Sequence, residues 1–414
     1  MNGKIREKKI SGYLSPEISV CFLVFYSSLS SGMNMVLSGM FGRTTNIILD
    51  ILRIIGFSLL AFGLVCHRKR IHWDFIVLPI ILSFLFLLAM INPDTSYEIS
   101  RQGLISSVFI GAVPIYYSVR LSRRYDRIWA YLKIFAILSF SILFFAFFVA
   151  NVGSKENYKT YSNDLFLCAA IFLIEWLYNN RRRYSIVAMA SIFLIATCGR
   201  RSSLVSLILL IAIICVLRKK YKILVGGVLF GLFLMLFWST ILTGLYEFIS
   251  GFGVRPRILL RIVLGNVTDD SHRFEQWAYV FEMIFSSIGN VFFGLGVVGE
   301  RHYMLQHFTH MVFQGYPHGI HVELIAHFGL FIGVFLVLFF FVLGPVRFIK
   351  KYAQNSNQLP FFLLSFTLLT VLLLQDSYIQ SRWFFMYLAM LIPLFKGVGK
   401  SRNVVKTIIE RSVG

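Results

Sequence analysis

Charge is what this sequence has little of. Only 14% of its 414 residues are Asp, Glu, Lys or Arg, against roughly 25% in soluble globular domains. The length alone would suggest two or three soluble domains. The shortfall of charge, with 57% hydrophobic residues, excludes that reading. Acid is scarcer than base, 19 residues against 40, and the net charge is +21. Cysteine is scarce too. The five (Cys21, Cys66, Cys168, Cys198, Cys215) lie in or beside apolar runs, in a pattern that suggests neither a disulfide framework nor a metal site. No internal repeat or low-complexity stretch stands out. Residues 1–16 are polar and basic, and the apolar run after them is long enough to span a bilayer and lacks a clear A-x-A-like cleavage site. It is therefore expected to be a first membrane helix and not a removed signal.

What the chain has instead is a row of apolar runs, most of them near the ~20 residues that cross roughly 30 Å of hydrocarbon. They fall at 18–40, 46–66, 73–91, 103–119, 129–151, 163–178, 184–197, 202–217, 223–248, 319–344, 359–375 and 382–395. They lack the alternation of barrel strands, so helices are the expected spanning element. The expected fold class is all-α: a polytopic integral membrane protein of about twelve transmembrane helices. Nine lie in 1–248, a large outer loop covers 249–317, and three more with a basic tail fill 318–414. The Lys and Arg residues decide the orientation. They crowd into His67–His72, Arg120–Arg127, Arg181–Arg183, Arg218–Lys222, Arg347–Lys351 and both termini, which the positive-inside rule places in the cytoplasm. The same clustering accounts for the net charge without nucleic acid. The tail at 396–414 fits an amphipathic helix on anionic lipid and equally a solvated stop-transfer segment.

The outer face breaks the pattern. Ten of its twelve basic residues are Arg, and the loop 249–317 has no Lys but four His. Guanidinium bonds phosphate bidentately and stays charged at any working pH. Three places follow. The first is the tight turn Thr197-Cys198-Gly199-Arg200-Arg201-Ser202-Ser203-Leu204, where Arg201 opens the next helix and the helix dipole also favours an anion; a pair with Asp164 or Asp376 is the structural alternative. The second is Asp269-Asp270-Ser271-His272-Arg273, capping an amphipathic helix whose apolar face is expected to comprise Phe274, Trp277, Ala278, Phe281, Ile284, Phe285 and Ile288, lying on the membrane interface and ending in Gly294-Leu295-Gly296. Arg255, Arg257 and Arg261 sit just before it and suit phosphate, sugar or lipid headgroups.

The third is Tyr316-Pro317-His318-Gly319-Ile320-His321-Val322-Glu323, where the chain re-enters the membrane. Imidazole is suited to take a proton near neutral pH, so His318 and His321 are both candidate bases. On one continuous helix they would share a face, with His327 turned away. A zinc site from His307, His310, His318 and His321 lacks both an H-E-x-x-H motif and a Cys partner, so no metal is expected.

In order and spacing these segments resemble the O-antigen ligase/polymerase superfamily. The family's S-R-x-x-L type turn looks like Arg201-Ser202-Ser203-Leu204. Its R-x-x-x-W helix and G-x-G element look like Arg273–Trp277 with Gly294-Leu295-Gly296. Its P-H-N segment, with a glycine eleven residues after the His, looks like Pro317-His318 with Gly329. Gly319 replaces the usual Asn, and Ile332 stands where the ligase form has Gly, Thr or Tyr; His321-Val322-Glu323 partly matches the family's H-N-E form. These departures favour the polymerase over the ligase.

The resemblance implies a GT-C-like bacterial inner-membrane glycosyltransferase with its site facing the periplasm. The donor would be an oligosaccharide on undecaprenyl pyrophosphate. The acceptor would be another lipid-linked repeat unit in a polymerase, or lipid A–core in a ligase. Transfer would be inverting and metal-independent, with no cofactor. His318 or His321 would act as base, and Arg200, Arg201, Arg273 and Arg257 would hold the pyrophosphate. Membrane lipid and a chain-length regulator are the implied partners. A transporter or flippase is the rival, because Asp50, Arg53, Asp164 and Glu175 fall in or near apolar runs.

Overall fold

The computed structural model describes residues 16–26, 54–55, 57–61, 65, 71–122, 124–149, 158–198, 201–236, 238–251, 273–308, 317–352, 358–373 and 377–397. Among them every regular element is helical. Three helical runs, Leu104–Leu121, Tyr125–Phe147 and Ile320–Tyr352, are long and apolar enough to cross a membrane. Shorter apolar helices lie at Pro16–Tyr26, Asp74–Ala89, Ser202–Leu217, Leu359–Val371 and Arg382–Leu394. All of these fall on apolar runs of the sequence. Several leave large apolar side chains exposed, among them Ile76, Ile80, Phe84, Phe145, Phe331 and Phe335; in contact with water such surface would be unfavourable.

The chain divides into two compact units. The first comprises Met1–Arg70, Arg124–Glu275 and Thr367–Gln375. Its centre is the helix Tyr158–Leu173, which packs on Tyr125–Val149, Ser185–Cys198 and Arg201–Leu217. From Leu165 to Leu173 every residue is buried, as expected of a helix apolar all round. Cys168, Ala169 and Ala170 are small enough to let neighbours close in. Glu175, at the end of this helix and fully buried, accepts hydrogen bonds from Trp129 Nε1 and from Asn179 Nδ2 (2.8 Å). It also pairs with Lys133 at 3.7 Å and Arg181 at 3.3 Å. An acid read from the sequence as a transport candidate is thus tied to basic residues, one of them from the loop expected inside.

The second unit comprises Ile71–Arg123, Gln276–Phe366 and Asp376–Gly414. Asp74 and Arg120 form a buried ion pair at 2.8 Å, which Tyr116 supports with a 2.6 Å hydrogen bond to Asp74. Five helices build the region of interest: α1 (Pro93–Arg101), α2 (Arg273–Phe285, whose first three residues cluster with the first unit), α3 (Ile288–Phe293), α4 (Gly299–His307) and α5 (Ile320–Leu338). Asn92 caps α1, accepting from the Asp94 amide at 2.9 Å, with Pro93 at the first helical position. Ser287 caps α3 in the same way at 3.1 Å.

Two expectations are corrected here. The amphipathic helix stops at Phe285, and Ile288 opens a separate helix. The face of α2 that is turned inward is Gln276, Val280 and Ile284, with Trp277 and Phe281 partly covered, while Phe274 and Phe285 are exposed. It packs on Met304, Phe308, Val322, Ile325 and Ala326. So α2 buries an apolar face against protein instead of only lying on lipid. The run 319–344 is also not one straight span. Gly329, at φ 79 and ψ 170, breaks α5. A Cβ on Gly333 would lie 2.4 Å from the Ile325 Cα, whereas residues eight apart on a straight helix are separated by about 12 Å. The two halves are therefore folded against each other.

Candidate functional site

The segments around Trp277, Gly294 and Pro317 meet at α5. The indole N–H of Trp277 donates to the Pro317 carbonyl at 2.7 Å, and the His321 ring stands edge-on to Trp277 with centroids 4.8 Å apart. Gly294 and Gly329 cross backbone to backbone. A Cβ on Gly294 would come within 2.5 Å of the Gly329 nitrogen, and one on Gly329 within 2.5 Å of the Phe292 carbonyl oxygen. Both glycines have positive φ, 76° and 79°, a region open to glycine without penalty. The Leu295 amide then donates to the Ala326 carbonyl at 2.7 Å. The R-x-x-x-W, G-x-G and P-H segments are thus one packed assembly.

His318 is not on the helix. It is partly exposed, with φ 46, and Gly319 is the N-cap of α5. The expectation that His318 and His321 share a helix face is therefore wrong: the left-handed backbone at His318 takes it out of the helical register. His321 lies in the first turn of α5, and its Nδ1 is buried without a hydrogen-bond partner. The ring of His307 is stacked on Tyr279 at 4.0 Å, and His307, His318 and His321 form no ligand cluster among the described residues.

The arginines are placed unevenly. Arg273 opens α2 and is partly buried, one helical turn before Trp277. Arg201 opens the helix Arg201–Leu217 in the first unit. Arg200, Arg255, Arg257 and Arg261, with Asp269 to His272 and His310, lie outside the described residues.

Beneath the assembly is a group of buried charges that sequence reasoning passed over. Glu300, Arg301, Glu323 and His327 are all at most 2% exposed. Arg301 donates to Gln102 Oε1, to Ser377 Oγ at 2.9 Å and to Glu323 Oε1 at 3.4 Å. Glu323 also accepts from the Ser377 hydroxyl and, at 3.0 Å, from the Tyr378 amide. His327 lies between Tyr378 OH, 2.9 Å from Nδ1, and Glu300, 3.0 Å from Nε2. Burial, then the charges of Glu323 and Glu300, push the Tyr378 phenol well above its usual range, so it stays a neutral hydroxyl. Glu323 inside an apolar run was the visible signal; nothing in the sequence said that Glu300 and Arg301 join it.

Comparison with family models, with characterised proteins and with solved structures gives no match to this chain.

Proposed function

We propose that this chain is a polytopic membrane glycosyltransferase of the O-antigen polymerase kind, with about twelve spans, a GT-C-like architecture and its reacting site on the periplasmic face of a bacterial inner membrane. It transfers a glycan from undecaprenyl pyrophosphate to a sugar hydroxyl of a second lipid-linked repeat unit. The observation that carries this reading is the joining of three sequence-distant motifs. Trp277 is bonded to Pro317 and packed on His321, and Gly294 is crossed on Gly329.

The chemistry suits these residues. His318 takes the proton of the acceptor hydroxyl. The oxygen attacks the anomeric carbon from the face opposite the pyrophosphate, and the bond from that carbon to the pyrophosphate oxygen breaks with inversion. Negative charge grows on the leaving group, where Arg273 and Arg201, with Arg200 and Arg257, stabilise it. A good leaving group makes a metal or a general acid unnecessary at the reacting atoms. His321 competes for the role of base. The reading takes His318, which stands before the helix, over His321, which is equally half-buried and packed edge-on against Trp277.

The test is reconstitution in proteoliposomes without divalent metal, supplied with lipid-linked repeat units alone or with lipid A–core. A ladder of longer lipid-linked chains, lost in His318→Ala and kept in His321→Ala, is the expected result. Product only on lipid A–core makes the chain a ligase. No product from either mixture, with donors active elsewhere, sinks the transferase reading in favour of transport.

A further inference from the structure

Two helix ends in the first unit stop side by side. The helix that starts at Tyr158 runs on through Ile174–Tyr178 and turns at Asn180, at φ 58; the helix Arg201–Leu217 turns at Lys219, at φ 52. Few residues other than glycine take such a backbone. Each turn is closed by a returning amide. The Arg181 N–H donates to the Glu175 carbonyl at 2.9 Å, and the Lys220 N–H to the Cys215 carbonyl at 2.7 Å. Side chains then tie one turn to the other. Lys220 Nζ donates to the Leu177 carbonyl at 2.6 Å and to Asn180 Oδ1, and the Arg218 guanidinium lies 3.9 Å from the centre of the Tyr178 ring.

The result is a concentration of like charge. Residues 181–183 and 218–222 supply seven Lys and Arg, and no Asp or Glu stands between Glu175 and Glu247. Glu175 is already shared by Lys133 and Arg181. Arg182, Lys219 and Lys222 are exposed and have no hydrogen bond or ion pair among the described residues. Orienting a membrane chain requires basic residues on one side of the bilayer. It does not require two turns 40 residues apart to be tied together with their charges pooled. Pooled cations repel one another and raise the local concentration of anions.

The exposed side chains next along these helices are apolar. Ile186 and Met189 stand one and two turns after Arg182, and Val216 one turn before Lys220; they are 78%, 54% and 54% exposed. Cations at the helix ends with open apolar surface one turn along match the order of phosphate and acyl chain in a phospholipid. A soluble anion would have no use for that surface. We propose that these paired turns bind the headgroup of an anionic phospholipid, with Arg182, Lys219 and Lys222 on its phosphate and its acyl chains along Ile186, Met189 and Val216. The proposal needs a bilayer beside these helices and nothing of the transferase chemistry, so either can fail alone.

The experiment uses the full chain, delipidated in detergent and titrated with phosphatidylglycerol or phosphatidylcholine, with and without inorganic phosphate. Bound lipid is counted by native mass spectrometry. Phosphatidylglycerol is expected to bind in preference to phosphatidylcholine and to stay bound when inorganic phosphate is added. Arg182→Gln together with Lys222→Gln, both at exposed positions where substitution leaves the fold in place, weakens it about tenfold or more. Arg347→Gln together with Lys350→Gln removes the same charge from another basic segment and leaves binding as in the wild type. Equal retention of the two lipids, equal loss in the two double variants, or displacement of phosphatidylglycerol by inorganic phosphate overturns the proposal. The first leaves no selectivity for the headgroup, the second only the overall field of the chain, and the third a site for soluble phosphate.

Discussion

Glu175 in the first unit and Glu323 in the second are both fully buried acids at the end of an apolar stretch, yet they are compensated differently. The cationic partners of Glu175 reach toward the surface: the Arg181 side chain is 47% exposed and that of Lys133 17%. The partners of Glu323 are as buried as it is: Arg301 is at 0% and Ser377 at 2%. Exposed partners can be replaced by water and counter-ions. Buried ones cannot, because an orphaned charge in a dry interior keeps its whole desolvation cost. One cluster is therefore an anchoring point at a polar edge, and the other sets the geometry of the segment bearing His321.

The comparison can be broken most forcefully at Glu323. Glu323→Ala strands Arg301 and is expected to cost about 3–5 kcal/mol, seen as a large fall in unfolding temperature in detergent. A fall no greater than that of a surface substitution would mean Arg301 is not held as described.

The glycine crossing comes next. Gly329→Ala forces a side chain into the positive-φ, extended-ψ region (φ 79, ψ 170) that essentially only glycine occupies, about 1–3 kcal/mol by itself, and adds the 2.5 Å clash with the Phe292 carbonyl. Gly226→Ala, in the helix Tyr221–Leu236 with nothing within 4 Å of its added Cβ, should be neutral or stabilising by up to about 1 kcal/mol. Equal melting shifts for the two would refute the crossing.

Trp277→Phe keeps an aromatic ring beside His321 but removes the bond to Pro317. A loss of about 0.5–1.5 kcal/mol is expected, with a fall in transfer rate larger than this stability change explains; unchanged turnover would detach Trp277 from the site. The smallest effect belongs to Arg181→Ala, within about 1 kcal/mol for so exposed a pair and shrinking as salt is raised. A salt-independent loss of several kcal/mol would erase the distinction between the clusters.

Much of this was readable residue by residue. The apolar runs announced the helices, and Trp277 and Pro317 stood out by spacing. The fold of α5 was not readable, because Gly329 inside an apolar run is compatible with a straight helix until the backbone opposite it, at Gly294, is known. His318 and His321 looked like helix neighbours because the positive φ of His318, just before the Gly319 cap, is a backbone state that residue type alone does not announce. Glu300 and Arg301 looked like loop charges because burial is not a property of a five-residue window.

By itself the sequence determined an all-helical chain with runs apolar enough to cross a membrane, since hydrophobic length and periodicity act locally. It also determined where basic residues crowd between those runs. Only the tertiary structure decided that α5 folds back at a glycine crossing, that α2 packs on protein, and that two glutamates, an arginine and a histidine share one buried cluster. Those outcomes depend on which surfaces meet. A buried charge is tolerated only where partners from distant parts of the chain arrive together.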